Sequence, residues 1–251
     1  MKLLFVGDTH GDKHLGKVDG FLIEAGLDAQ DALIHCGEIG IAWTGEEDDA
    51  LRYWRSLPFK VLVCLGNHEN YPWVMRQPLI RRYGCLGYDL GGRVFAPLHG
   101  QTARLGGKTL WFYPGGYSVD FPFRRPGRSI YSEEMIEQAA SERIVDRALR
   151  RRHLDFIVSH DGPRAFVTLH FGFPISLPHP EYWHHLGQAE GARAHPGFAL
   201  DPIYRLGSYG QGFFGHHHLD VAEGRLRCLW NQAALVDTRS GQTSLLGEAP
   251  A

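Results

Sequence analysis

Residues 2–11 read KLLFVGDTHG. A short apolar run stops at Gly7, and Asp8 and His10 follow at once. Such a run, bounded by a turn signal, reads as a strand buried on both faces. DALIHC at 31–36 and FKVLVCL at 59–65 repeat the pattern, and each stops at a glycine. Between them Glu46–Leu57 carries helical spacing and ends before Pro58. Strand, helix and strand at this rhythm predict βαβ units and a largely parallel first sheet.

Further along, Arg93–Pro97, Thr102–Leu105 and Thr109–Tyr113 read as short antiparallel strands split by glycines. Apolar residues from Met135 to Leu149 recur at three and four positions, which predicts an amphipathic helix over Glu133–Arg152 with Ser132 as its N-cap. Leu154–Ser159 is a further buried strand. Gln211–Gly215, Arg225–Trp230 and Ala234–Thr238 are expected to finish a second sheet. Pro114–Tyr131 is irregular. Pro163–Gly212 is unpatterned and is expected to cap a site or pack under one. The chain is expected to fray from Gly247.

The 251 residues are 43% apolar and 22% charged, which excludes collagen-like, disordered and coiled-coil classes. No stretch reaches the ~18 uninterrupted apolar residues of a membrane span. The N-terminal apolar run is too short for a signal peptide and meets two Asp by position 12. A cytoplasmic location is therefore expected. The net charge of −2 is unlike that of a protein that coats nucleic acid. Cys36, Cys64, Cys85 and Cys228 form no CxxC pair, so reduced thiols are expected and a Cys-rich zinc site is not. The chain holds 15 His, and their placement decides the function.

Five motifs follow apolar runs: GDTHG at 7–11, CGEIG at 36–40, GNHEN at 66–70, SHDGP at 159–163 and GHHHLD at 215–220. In open α/β sheets, sites form outside the carboxyl ends of the strands, so these residues can converge. Asp8, His10, Glu38, Asn67, His160, His216 and His218 offer carboxylate, amide and imidazole donors suited to Mn²⁺, Fe, Zn²⁺, Ni²⁺ or Mg²⁺. Seven donors are too many for one ion and enough for two that share a carboxylate. Two such ions clamp an in-line displacement at phosphorus, with a hydroxide between them as nucleophile. Strand-like alternation is expected to aim Asp8 and His10 to one side, and His216 and His218 to one side with His217 turned away. His68, next to Asn67, is the candidate for protonating the leaving oxygen.

The ordered pattern GDxHG, GE in place of GD, GNHE, SHxGP and GHxH resembles the calcineurin-like metallophosphoesterases. The run GGYSVDFPFRRPG at 115–127 is similar to a segment of small bacterial and phage members. The resemblance implies an α/β fold: a four-layer sandwich of two mixed β-sheets flanked by helices, as one domain over 1–251. Loop regions at about 84–130 and 164–212 would lie on the substrate side. It implies a first ion, most readily Mn²⁺, on Asp8, His10, Glu38 and His218, and a second on Glu38, Asn67, His160 and His216. It also implies catalytic roles for Asn67 at the phosphoryl oxygens and His68 at the leaving group.

Two departures matter. The family's bridging Asp is Glu38 here, one methylene longer; a bridge is expected, and binding to one ion alone is the alternative. The GDxVDRG extension of protein phosphatases is absent, since IGIAW follows Glu38. That argues against a phosphoprotein substrate.

Arg124, Arg128 and Tyr117 are candidate substrate contacts, because arginine favours bidentate phosphate contacts and an aromatic ring can stack on a base. Solvated loop charge and core plugging are the plain readings of the same residues. His35 reads as a packed histidine, and Cys36 and Cys64 as core filling. Glu69 and Asp161 could orient imidazoles or simply bond loops. The expected activity is hydrolysis of a phosphodiester or phosphomonoester, with a small or nucleotide-like substrate and no membrane. A nuclease acting on DNA or RNA is one alternative. A non-catalytic adaptor that keeps the fold is the other.

Overall fold

The structure is a computed structural model that describes residues 1–172 and 175–247. The first apolar run is strand β1 (Lys2–Val6), followed by helix α1 (Leu15–Ala25), β2 (Ala32–His35), α2 (Asp49–Ser56) and β3 (Lys60–Val63). β1, β2 and β3 pair in parallel, with Leu4 opposite Leu33 and Leu33 opposite Val61. Short helix α3 (Tyr71–Met75) leads into β4 (Leu79–Arg82), β5 (Cys85–Gly91) and β6 (Val94–Pro97). Then come β7 (Thr102–Leu105), β8 (Lys108–Tyr113), α4 (Gln138–Leu149) and β9 (Leu154–Ser159). Helices α5 (Arg164–Phe171), α6 (Pro180–His185) and α7 (Pro196–Leu206) precede β10 (Tyr209–Phe214), β11 (Val221–Glu223), β12 (Leu226–Cys228), β13 (Ala233–Asp237) and β14 (Thr243–Leu246).

The strands form two mixed sheets, ordered β14-β13-β1-β2-β3-β6-β5-β4 and β11-β12-β10-β9-β8-β7. Alternation along β1 shows why they stack. Leu3 and Phe5 face the second sheet, joining Phe112, Phe156 and Phe213 in the core between sheets. Leu4 and Val6 face outward onto Val18 and Phe21 of α1 and Trp54 of α2. Phe5 and Phe213 stack across the two sheets with centroids 3.9 Å apart. Ile144 and Ala148 of α4 and Leu200 and Ile203 of α7 cover the far face of the second sheet. The result is two mixed sheets packed together with helices outside, as the motif pattern implied. Among the described residues no helix is long and apolar enough to cross a membrane.

Local expectations are corrected at four points. Ala234–Thr238 was expected in the second sheet, but β13 pairs antiparallel with β1 in the first, Val236 opposite Leu3. There Ala234 and Val236 fill the core between sheets. Arg93–Pro97, expected antiparallel, pairs antiparallel with β5 through Asp89 and Phe95 but parallel with β3 through Val61 and Val94. The long helix begins at Gln138, not Glu133. Ser132 opens a single 3₁₀ turn, and Met135 is extended at φ −129°, ψ 142°. Glu134 in this turn is fully buried, where it accepts from Tyr131 N–H and Ser118 Oγ and pairs with Arg124. Among the described residues the unpatterned 163–212 region holds three helices, and Pro180 and Pro196 start α6 and α7, where proline's missing N–H costs nothing. Of the stretch expected to fray from Gly247, residues 248–251 lie outside the described residues.

Candidate functional site

The motif residues meet at the carboxyl ends of β1, β2, β3, β9 and β10. Strand alternation does not explain how they meet. Seven non-glycine described residues have positive φ, and five are Asp8, His10, Glu38, His216 and His218, at φ 44–67°. Left-handed backbone is disfavoured for residues with a Cβ and concentrates at functional sites. Here it turns each side chain inward just after its strand ends. Neighbouring glycines leave the room: a Cβ on Gly66 would lie 2.9 Å from Glu38 Cγ, and one on Gly215 2.7 Å from Asp8 Oδ1.

Two clusters of ligand-type atoms share Glu38: His10, Glu38 and His218, and Glu38, His160 and His216. Glu38 Oε2 lies 3.0 Å from His10 Nε2 and 3.7 Å from His218 Nε2. Its Oε1 lies 3.8 Å from His160 Nε2 and 3.7 Å from His68 Nε2. His10 Nε2 and His218 Nε2 are 3.0 Å apart. Donor atoms ~2.1 Å from one cation sit about 3 Å from each other, so this crowding suits an ion between them.

Burial sharpens the fit. Asp8 is fully buried, yet among the described residues neither carboxylate oxygen has a hydrogen-bond partner, and His216 Nδ1 also lacks one. Orphaned buried acceptors are expensive, and a divalent cation satisfies several at once. Burial, aided by the Glu38 carboxylate, pushes the Asp8 carboxyl up to about 7 without such a charge. Burial also pushes the His10 imidazole down to about 4, which leaves it neutral and able to ligate.

His160 and Asn67 are fixed from behind. His160 Nδ1 donates to the Cys36 carbonyl at 2.8 Å, so Nε2 points at the centre, 2.8 Å from Asn67 Oδ1. A backbone acceptor on the far nitrogen is the usual way a ligating imidazole is oriented. Asn67 Nδ2 donates to Ser118 Oγ at 3.0 Å. Ser118 commits its own proton to Glu134. Its oxygen can then only accept, which turns the Asn67 NH₂ toward it and Oδ1 toward the centre. Arg124 completes the buried knot, 3.0 Å from Glu134 Oε1 and bonded to Ser118 and the Asn67 carbonyl.

The other candidates divide. Arg124 is 7% exposed and saturated by these partners, so it faces the support of Asn67 and not solvent. Arg128 is exposed, and its carbonyl accepts from the Tyr131 hydroxyl at 2.8 Å. Tyr117 is half-buried against Tyr182 and His195, beside the centre. His68 Nε2 lies 3.6 Å from Asp120 Oδ2. His217 turns from Glu38 and donates to Asp161 Oδ1 at 2.9 Å. Glu69 accepts from the N–H groups of Ile39, Gly40 and Gly66, a loop clamp. His35 packs edge-on to Trp54 and bonds Thr9. Ser118, Glu134, Asp120 and Trp230, which stacks 4.1 Å from His218, escaped the sequence reading because no local spacing marks them.

This fold and donor set define a metal-dependent hydrolase of phosphoric esters. A family model for calcineurin-like phosphoesterases matches residues 1–220, and the chain belongs to that family. No curated protein matches it. A solved crystal structure shares the fold at TM-score 0.55 and 14% identity, with 98% of each chain covered. An archaeal phosphodiesterase aligns at TM-score 0.43 and 11% identity, covering 99% of this chain and 100% of its own. A phosphopantetheinyl hydrolase from Mycobacterium tuberculosis aligns at 0.42 and 16%, covering 92% and 90%.

Proposed function

We propose that residues 1–251 act as one dinuclear phosphoesterase unit whose leading substrate is a small or nucleotide-like phosphodiester. The observation that carries this reading is Glu38, whose two carboxylate oxygens each face one imidazole cluster. Asp8, His10, Glu38 and His218 would hold a first divalent cation, and Glu38, Asn67, His160 and His216 a second. Mn²⁺ suits this mixture of carboxylate, amide oxygen and imidazole, as do Fe, Zn²⁺, Ni²⁺ and Mg²⁺. Two such cations would supply Lewis-acid charge to the phosphoryl oxygens and lower the pKa of a water.

The chain's own residues do the rest. Glu38 replaces the family's shorter bridging carboxylate, and its reach to both clusters supports a bridge over single-ion binding. Asn67, held by Ser118, presents Oδ1 on the sealed side of the centre. His68 would hold a proton at Nε2 and pass it to the leaving alcohol. Burial pushes the His68 imidazole down, while Glu38 and Asp120 draw it back up.

A non-catalytic adaptor has no use for an orphaned buried carboxylate at position 8, and the net charge of −2 speaks against a nuclease. A cytoplasmic site of action belongs to this reading and is supported by four unpaired thiols.

The test is turnover of bis-(p-nitrophenyl) phosphate against p-nitrophenyl phosphate, after reconstitution with each cation in turn. The expected result is strict dependence on added cation with preference for the diester. Turnover unaffected by chelation overturns the reading.

A further inference from the structure

Two cavities that share no lining residue adjoin the centre. One, about 450 Å³, is walled by His10, His68, Lys13, Trp43 and nearby carboxylates. The other, about 410 Å³, is walled by Tyr117, Val119, Val167 and Asp161 and opens beside His216. We propose that the second cavity holds the retained arm of a phosphodiester, and that this arm is apolar or aromatic. The inference rests on the phosphoesterase reading above and deepens it.

Proton delivery by His68 assigns the leaving arm to the first cavity, which His68 itself lines. The retained arm is left with the space next to His216. The chemistry of that space is apolar. Val167 of α5 is 2% exposed, and Val119, which lines the same cavity, is an apolar side chain 75% exposed among the described residues. Tyr117 is braced edge-on by Tyr182 at 4.9 Å and by His195 at 5.4 Å, so its ring is a fixed wall. Asp161 is 1% exposed, with His217 Nε2 2.9 Å from Oδ1 and His195 Nδ1 3.6 Å from Oδ2, so both oxygens face imidazoles and not the open space. Ligand sites of this kind are mainly apolar with few polar groups.

Tyr117 and Val119 flank Ser118, whose hydroxyl anchors Asn67. The wall of the cavity is thus registered to the centre through one residue. A phosphomonoester has no second ester arm and leaves the cavity unfilled, whereas an asymmetric diester fills both.

The experiment compares diphenyl with dimethyl phosphate by calorimetry on Mn²⁺-loaded protein, for the natural chain, Val119→Asp and Val119→Ile. In parallel, phenyl and methyl p-nitrophenyl phosphates are compared by kcat/KM; they share a leaving group and differ only in the retained arm. The expected preference for the phenyl arm is about tenfold or more, the range for burying one aromatic group. Val119→Asp should erase it and Val119→Ile should retain it, with the methyl ester as the reference substrate in each variant. Equal affinity for the two diesters, or an equal loss of both in Val119→Asp, overturns the inference. Failure of every ester to turn over sinks the phosphoesterase reading instead, and the calorimetric comparison then still decides the cavity.

Discussion

His10 and His218 stand on the open side of the centre, whereas His160 and Asn67 are sealed at 0% and 2% exposure. Both halves use the same donor chemistry, but different forces hold them. His218 is steadied by a ring, Trp230, which lies nearly parallel to it. His160 and Asn67 are steadied by directed hydrogen bonds, to a backbone carbonyl and to a buried Ser–Glu–Arg knot. Stacking tolerates rotation and solvent, while a sealed hydrogen bond fixes one orientation. The sealed half is therefore the preorganised one.

Removing the shared group breaks both halves together. Glu38→Ala is expected to lose both cations by elemental analysis and to drop turnover to the uncatalysed background. The next largest effect should spare the metals: His68→Asn is expected to lower kcat by about 10²–10⁴-fold with metal content unchanged. Unchanged kcat would remove the proton-donor role.

Two smaller effects separate the halves. Ser118→Ala strands the Asn67 NH₂ in a buried place and should weaken the second cation by about tenfold to a hundredfold. The first cation should bind as before, with Mn²⁺ titration followed by electron paramagnetic resonance as the measure. Trp230→Leu should do the reverse and less, weakening the first cation by roughly twofold to tenfold. Equal weakening of both positions in either variant would erase the contrast between ring and knot.

The same contrast explains what could be read from the chain. β1, β2 and β3 were legible because burial on both faces demands unbroken apolar runs. Their ends were legible as sites because Asp, Glu, Asn and His cluster there beside glycines. Helix α1, LGKVDGFLIEA, went unread because Gly16 and Gly20 blur its apolar stripe. Hairpin β4–β5 went unread because its strands carry arginine and glycine and are only partly buried. β13 was found but assigned to the wrong sheet, since pairing with β1 is set by the whole fold and not by AALVD itself. Ser118 and Glu134 lie 51 and 67 positions from Asn67, and nothing in their own neighbourhoods announces that they meet it.

The most direct measurement is anomalous scattering from crystals grown with excess Mn²⁺. Two peaks are predicted, one among Asp8, His10 and His218 and one among Asn67, His160 and His216, with Glu38 touching both. A single peak away from Glu38, or none at all, would contradict the dinuclear account.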